Sequence, residues 1–126
     1  MDIDLGKQFK IEFKNFPASD KKKIVIFIKT VQSFESFSDF ASLPGRNKNS
    51  NEVSTEDSDF MAKTALANKF HLWHYHIGIP KYDATDRRGK RTSNYVVHYK
   101  LVDQHTIVIV DMTEHPIKLP SEKYLE

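Results

Sequence analysis

His74 and His76 stand one residue apart in FHLWHYHIGI, residues 70–79, a stretch whose aromatic and apolar content reads as a β-strand. Side chains two apart on a strand project to the same side, so the spacing predicts two imidazoles on one face, with Trp73, Tyr75 and Ile77 on the other, facing a core. His98, within YVVHY, offers a third imidazole from a neighbouring strand. His115 follows Asp111-Met112-Thr113-Glu114 and precedes Pro116, which stops a strand ladder and leaves the histidine at a sheet edge. Imidazole titrates near neutrality, which makes each of these a candidate acid or base.

Two chemistries use such residues. In metal-independent RNA cleavage a base takes the 2′-hydroxyl proton, cations stabilise the crowded phosphorane, and an acid protonates the leaving 5′-oxygen. His115, Arg91, His74 and His76 supply the types required, with His115 the foremost candidate and Arg91 the phosphate partner. Arg46, Lys48, Arg87, Arg88 and Lys90 supply cations for the RNA backbone, and Tyr82 a ring on which an unpaired base could stack. This chemistry needs no cofactor. The alternative is a metal-dependent enzyme using His74, His76 and His98, which would want a further ligand such as Asp111 or Glu114. Lys21, Lys22 and Lys23 form another basic cluster, which reads equally well as a solvated face.

The elements that must position these groups follow from periodicity. Residues 8–14 alternate Phe9, Ile11 and Phe13 against polar neighbours, predicting a first strand. After Asn15-Phe16-Pro17, Ser19 or Asp20 opens a helix reaching about Ser33, with Ile24, Phe27, Ile28 and Val31 as its apolar stripe. Residues 36–51 read as a long loop with turn chemistry at Leu43-Pro44-Gly45. Ser54-Thr55-Glu56-Asp57 reads as the acidic first turn of a second helix continuing to Phe70. Beyond residues 70–79, residues 81–92 form a polar hairpin loop. Strands over 94–101 and 106–112 then join through a tight Asp103-Gln104 turn, which would set His98 opposite Ile109 and Tyr99 opposite Val108. Tyr95, Val97, Tyr99 and Leu101 form the core face of the first of these. Ile107, Val108, Ile109 and Val110 read as a central strand covered on both sides.

The chain has 126 residues with 39% hydrophobic content, the size of one ordinary domain over residues 1–126. Mean hydropathy is −0.55 and no apolar run approaches the ~20 residues a membrane helix needs, so a soluble protein is expected. MDIDLGKQF holds two early acids and no apolar segment, so no cleaved secretion signal is expected. Cysteine is absent, which excludes disulfides and thiolate metal sites and fits a reducing, cytoplasmic setting. A net charge of +2 does not by itself announce a nucleic-acid binder; the clustering of the cations carries that expectation.

Strand, helix, long loop, helix and three antiparallel strands ending in a charged tail resemble the RelE/ParE toxin superfamily, and its YafO-like branch in particular. The residues carrying the likeness are Leu43-Pro44-Gly45-Arg46, the His74 and His76 of LWHYHIG, Tyr95-Val96-Val97-His98-Tyr99, and Glu114-His115-Pro116. The resemblance implies an α+β fold, a RelE-like antiparallel sheet of about four strands with two or three helices packed on one face. It implies a bacterial type II toxin, an endoribonuclease that cleaves mRNA, often on the ribosome, and is silenced by a cognate antitoxin protein. Family members commonly use a tail arginine or tyrosine, where this chain offers His115 and, further on, Tyr124. A ParE-like toxin that binds a protein target without nuclease chemistry is the other reading within the same superfamily.

Overall fold

Ile107, Val108, Ile109 and Val110 are the axis of the fold, because their side chains divide between two cores on opposite faces of one sheet. The computed structural model describes residues 1–114 and 118–126. In chain order the elements are β1 (Asp2–Leu5), α1 (Lys7–Phe13), α2 (Ala18–Gln32), a 3₁₀ turn (Phe37–Ser42), β2 (Asn47–Asn49), α3 (Phe60–Phe70), β3 (Leu72–His76), β4 (Tyr82–Thr85), β5 (Arg91–Ser93), β6 (Tyr95–Asp103), β7 (Thr106–Glu114) and α4 (Glu122–Leu125). The architecture is α+β. A five-stranded sheet runs β1-β7-β6-β3-β2, and β4 pairs with β5 in a separate two-stranded arm. The sheet is mixed rather than antiparallel throughout, since β1 pairs parallel with β7, Asp2 opposite Thr106 and Leu5 opposite Ile109.

The larger core joins Phe9 of α1, Ile24, Phe27 and Val31 of α2 and Phe40 of the 3₁₀ turn to Tyr75, Val97, Tyr99, Ile107 and Ile109 of the sheet. Phe27 stacks on Tyr75 with ring centroids 5.0 Å apart. Ala67 of α3 and Leu125 of α4 cover Leu72 and Val110 on the opposite face. Helices therefore pack on both faces, not one. A central strand apolar on both sides leaves one of them wet unless each is covered.

Residues 8–14 are helical, which corrects the expected first strand. A helix sets Phe9 and Phe13 on one side, with centroids 6.1 Å apart, and turns Ile11 outward at 53% exposure. Phe16 closes the cluster edge-on against Phe9 at 5.9 Å. The α2 stripe is where the spacing puts it, with Ile24, Phe27 and Val31 buried and Ile28 packed against the core.

The expected loop over residues 36–51 contains both the 3₁₀ turn and β2, and the expected hairpin loop contains β4 and β5. The acidic segment at residues 54–57 forms turns, and α3 begins later, at Phe60. The β6–β7 register also differs from the expectation. Tyr99 opposes Ile109 and His98 opposes Asp111, because irregularities at His98/Tyr99 and Leu101/Asp103 shift the pairing.

Candidate functional site

Strand alternation at the sheet edge builds the site. β2 pairs with β3 as the last strand of the sheet, with Asn47 opposite Tyr75, Lys48 opposite His74 and Asn49 opposite Trp73. Opposed residues share a face, so Lys48 lies on the histidine side, while Asn47 and Asn49 lie on the aromatic side. Arg46 N–H donates to Arg91 O at 2.8 Å and Arg46 O accepts His76 N–H at 2.9 Å, which wedges this segment between β5 and β3.

Gly45 makes the wedge possible. A Cβ there would lie 1.9 Å from the His76 carbonyl oxygen and 2.7 Å from the Tyr75 ring, while its N–H donates to the Tyr75 hydroxyl at 2.9 Å. Leu43-Pro44-Gly45-Arg46 thus does more than turn the chain, since it delivers Arg46 and, on β2, Lys48 to the sheet edge.

Two hollows meet at that edge. One is a groove of about 830 Å³ between the 3₁₀ turn, β2 and the β4–β5 arm, lined by Arg46, Lys48, Arg87, Arg88 and Lys90 together with Phe37, Trp73, Glu52 and Asp86. All five cations expected to meet an RNA backbone line it. The other, of about 250 Å³, is lined by His74, His76, Ser50, Asp57, Lys63 and Leu119, and it shares Arg46, Lys48 and Glu52 with the groove. Among the described residues the five groove cations face only two acids, Glu52 and Asp86, which leaves the surface positive.

The cations are not equivalent. Lys90 donates to the Leu43 carbonyl at 2.8 Å and to that of Ala41, tying the arm to the 3₁₀ turn. Arg46 lies 3.9 Å from Asp86, and Lys48 lies 3.9 Å from Glu52. Asp86 also takes the N–H groups of Arg88 and Lys90, at 2.9 Å each, and Gly89 at φ 79° closes that turn. These bonds hold its carboxyl below the usual carboxylate range, the Lys90 N–H foremost. Arg87 and Arg88 are carried at the tip of the arm.

His74 and His76 are buried at 7% and 3% exposure, with rings 6.4 Å apart. His74 Nδ1 meets Ser50 Oγ at 2.9 Å. His76 Nδ1 lies 3.0 Å from both the N–H and the carbonyl oxygen of Ser93. The N–H suits a ring whose Nδ1 is bare, and the carbonyl suits one whose Nδ1 carries a proton. At the mouth, Lys63 donates to Asp57 at 2.7 Å, which lowers the carboxyl and raises the ammonium.

His98, the cross-strand partner of His74, does not line this pocket. Its ring is fully buried 6.2 Å from that of His74, Nε2 meets Thr113 Oγ1 at 2.7 Å, and Nδ1 has no hydrogen-bond partner among the described residues. Burial pulls it down to about 4, so it is neutral near pH 7. Among the described residues, His74, His76 and His98 do not form a group of three side chains placed to hold a metal ion.

The remaining candidates lie elsewhere. Arg91 serves the site through its main chain, with its N–H on Pro44 O at 3.0 Å, while its guanidinium rests 5.8 Å from the Tyr82 ring centroid. It lines neither hollow among the described residues. Asp111, opposite His98, is pushed up to about 6 by burial, and Asn94 reaches Glu114 at 3.4 Å. Tyr124 donates to Glu12 at 2.6 Å and is pushed up to about 12 by that bond, fastening α4 to α1. His115 lies outside the described residues.

Sequence reasoning passed over Trp73, Ser50, Asp57 and Lys63 as site residues. The signal for the first two was the alternation of residues 46–50 against residues 72–76, which is visible only once the two are known to pair. No helix of the described residues is long and apolar enough to cross a membrane. No family model matches this chain, and no curated protein or solved structure matches it.

Proposed function

We propose that this protein is a metal-independent endoribonuclease, the mRNA-cleaving toxin of a type II toxin–antitoxin system. The observation that carries the reading is the continuity at β2, where a cationic groove turns around one sheet edge into a pocket lined by His74 and His76. A polyanion drawn into the groove by Arg46, Lys48, Arg87 and Arg88 is led to two imidazoles. One imidazole takes the 2′-hydroxyl proton as that oxygen attacks phosphorus, and the other protonates the departing 5′-oxygen. The products are a 2′,3′-cyclic phosphate and a 5′-hydroxyl. Arg46 and Lys48, shared by both hollows, face the charge that builds on the phosphorane. The likeness to the RelE/ParE superfamily supplies the cellular setting of this reading: mRNA and the ribosome as partners, a cognate antitoxin as inhibitor, and the cytoplasm as compartment.

The test is cleavage of an end-labelled, unstructured oligoribonucleotide by the purified chain in the presence of a chelator, beside primer extension on translated and untranslated reporter mRNA after induction. The reading expects chelator-resistant cleavage with cyclic-phosphate ends, abolished by 2′-O-methylation. Cleavage confined to translated message makes the ribosome part of the substrate. Growth arrest with intact message overturns the nuclease reading in favour of a toxin that binds a protein.

A further inference from the structure

We propose that the aromatic side of the groove is a base-binding slot, in which an unpaired nucleobase stacks on Trp73 beside the amides of Asn47 and Asn49. This inference rests on the reading of the groove as an RNA channel, and adds to it the site that selects the nucleotide next to the scissile phosphate.

Trp73 lies on β3 one residue from His74, so its side chain leaves the opposite face of the same strand. It is only partly buried against the core, and it lines the groove. Phe37 braces it edge-on, with centroids 4.9 Å apart and planes at 76°, which holds the indole in place. Asn49 is its cross-strand neighbour and Asn47 the next residue on that face. Asn47 Oδ1 accepts the Tyr99 hydroxyl at 2.6 Å, which fixes the carboxamide and leaves its NH₂ as the donor to offer a ligand. Such donors suit the carbonyl oxygens and ring nitrogens along a base edge. An indole face and amides on one side of β2, with Lys48 and the histidines on the other, match the two halves of one nucleotide. The phosphate stays with the cations while the base crosses to the ring.

Trp73 is the single tryptophan of the chain, so tryptophan emission, excited selectively over the tyrosines, reports on this slot alone. The probes are two end-labelled 2′-O-methyl oligoribonucleotides of equal length, which cannot be cleaved: one mixed in sequence, the other abasic across its central nucleotides. Label anisotropy measures binding and tryptophan emission measures stacking. The proposal expects both oligomers to raise anisotropy, the mixed one to quench Trp73 over the same concentrations, and the abasic one to bind about tenfold more weakly without quenching. Binding without quenching, or equal quenching by both, overturns the base slot and leaves the cationic groove standing. No anisotropy change with either removes the RNA reading itself and the slot with it. Trp73→Leu should bring the mixed oligomer down to the abasic affinity, with circular dichroism confirming the fold; the wild-type quenching test stands whether or not that variant folds.

Discussion

Lys48 and His74 are direct cross-strand partners on the β2–β3 ladder, so a cation at the sheet edge and an imidazole one strand inward share a face. Ser50 follows on the same side and meets His74 Nδ1 at 2.9 Å. This pairing joins the charged groove to the acid–base groups, so substitutions on its two sides should separate RNA binding from RNA cleavage.

Replacing His74 or His76 with asparagine should lower RNA cleavage by about 10²–10⁴, the range for losing one general acid or base, while oligomer binding survives. Single-turnover cleavage and anisotropy on the same preparations separate the two effects.

Arg87→Ala with Arg88→Ala should weaken RNA binding and flatten its salt dependence by about one log–log unit for each phosphate no longer neutralised. Both arginines are carried on the β4–β5 arm and line the groove. Lys90→Ala should act differently, loosening the arm itself, because its ammonium is bound to main-chain carbonyls. A slope equal to wild type in the double variant excludes the arm from the RNA surface.

Stability should vary little with pH between about 4 and 6, because the buried His98 and the half-buried Asp111 oppose each other. His98 is pulled down to about 4 in the folded chain, against an unfolded value near 6.5. The unfolded state therefore binds the extra proton in this window, and the His98 contribution rises with pH, complete above about 6.5. Asp111 is pushed up to about 6, so the folded state holds its proton, and that contribution falls as pH rises through the same window. Each slope is about 1.4 kcal/mol per pH unit at most. Asp111→Asn should leave stability rising with pH and His98→Phe should leave it falling. Urea midpoints at pH 4.5 and 6 decide it, and parallel behaviour of the two variants excludes the assignment.

Gly45→Ala should cost about 1–3 kcal/mol and reduce RNA binding together with cleavage, since an added methyl meets the His76 carbonyl and the Tyr75 ring. Gly89→Ala is the control within the same groove wall. Nothing lies within 4 Å of a Cβ there, so its effect is confined to the strain of a positive φ in the arm. Equal weakening of RNA binding in both variants would mean that Gly45 has no special place beneath β2.

Local pattern alone determined the α2 stripe, the apolar β7 run and the division of residues 72–76 into an aromatic and a histidine face, because each depends on a period of 3.6 or 2 within a few residues. It also identified the five cations that the groove gathers. It misread residues 8–14, where Phe9, Ile11 and Phe13 satisfy a strand period while Phe9, Phe13 and Phe16 form the cluster a helix buries; only the tertiary core chose between them. Asp2–Leu5 is too short to declare itself, and it becomes a strand by pairing with β7, more than a hundred residues away in sequence. The same holds for β2. Its alternation acquires meaning only when β3 lies beside it, and that pairing is long-range, set by Gly45 fitting under the Tyr75 ring. Sequence thus supplied the chemistry of the groups, and the fold decided which of them meet: His74 and His76 with Lys48, but Arg91 with Tyr82 and His98 sealed behind Thr113.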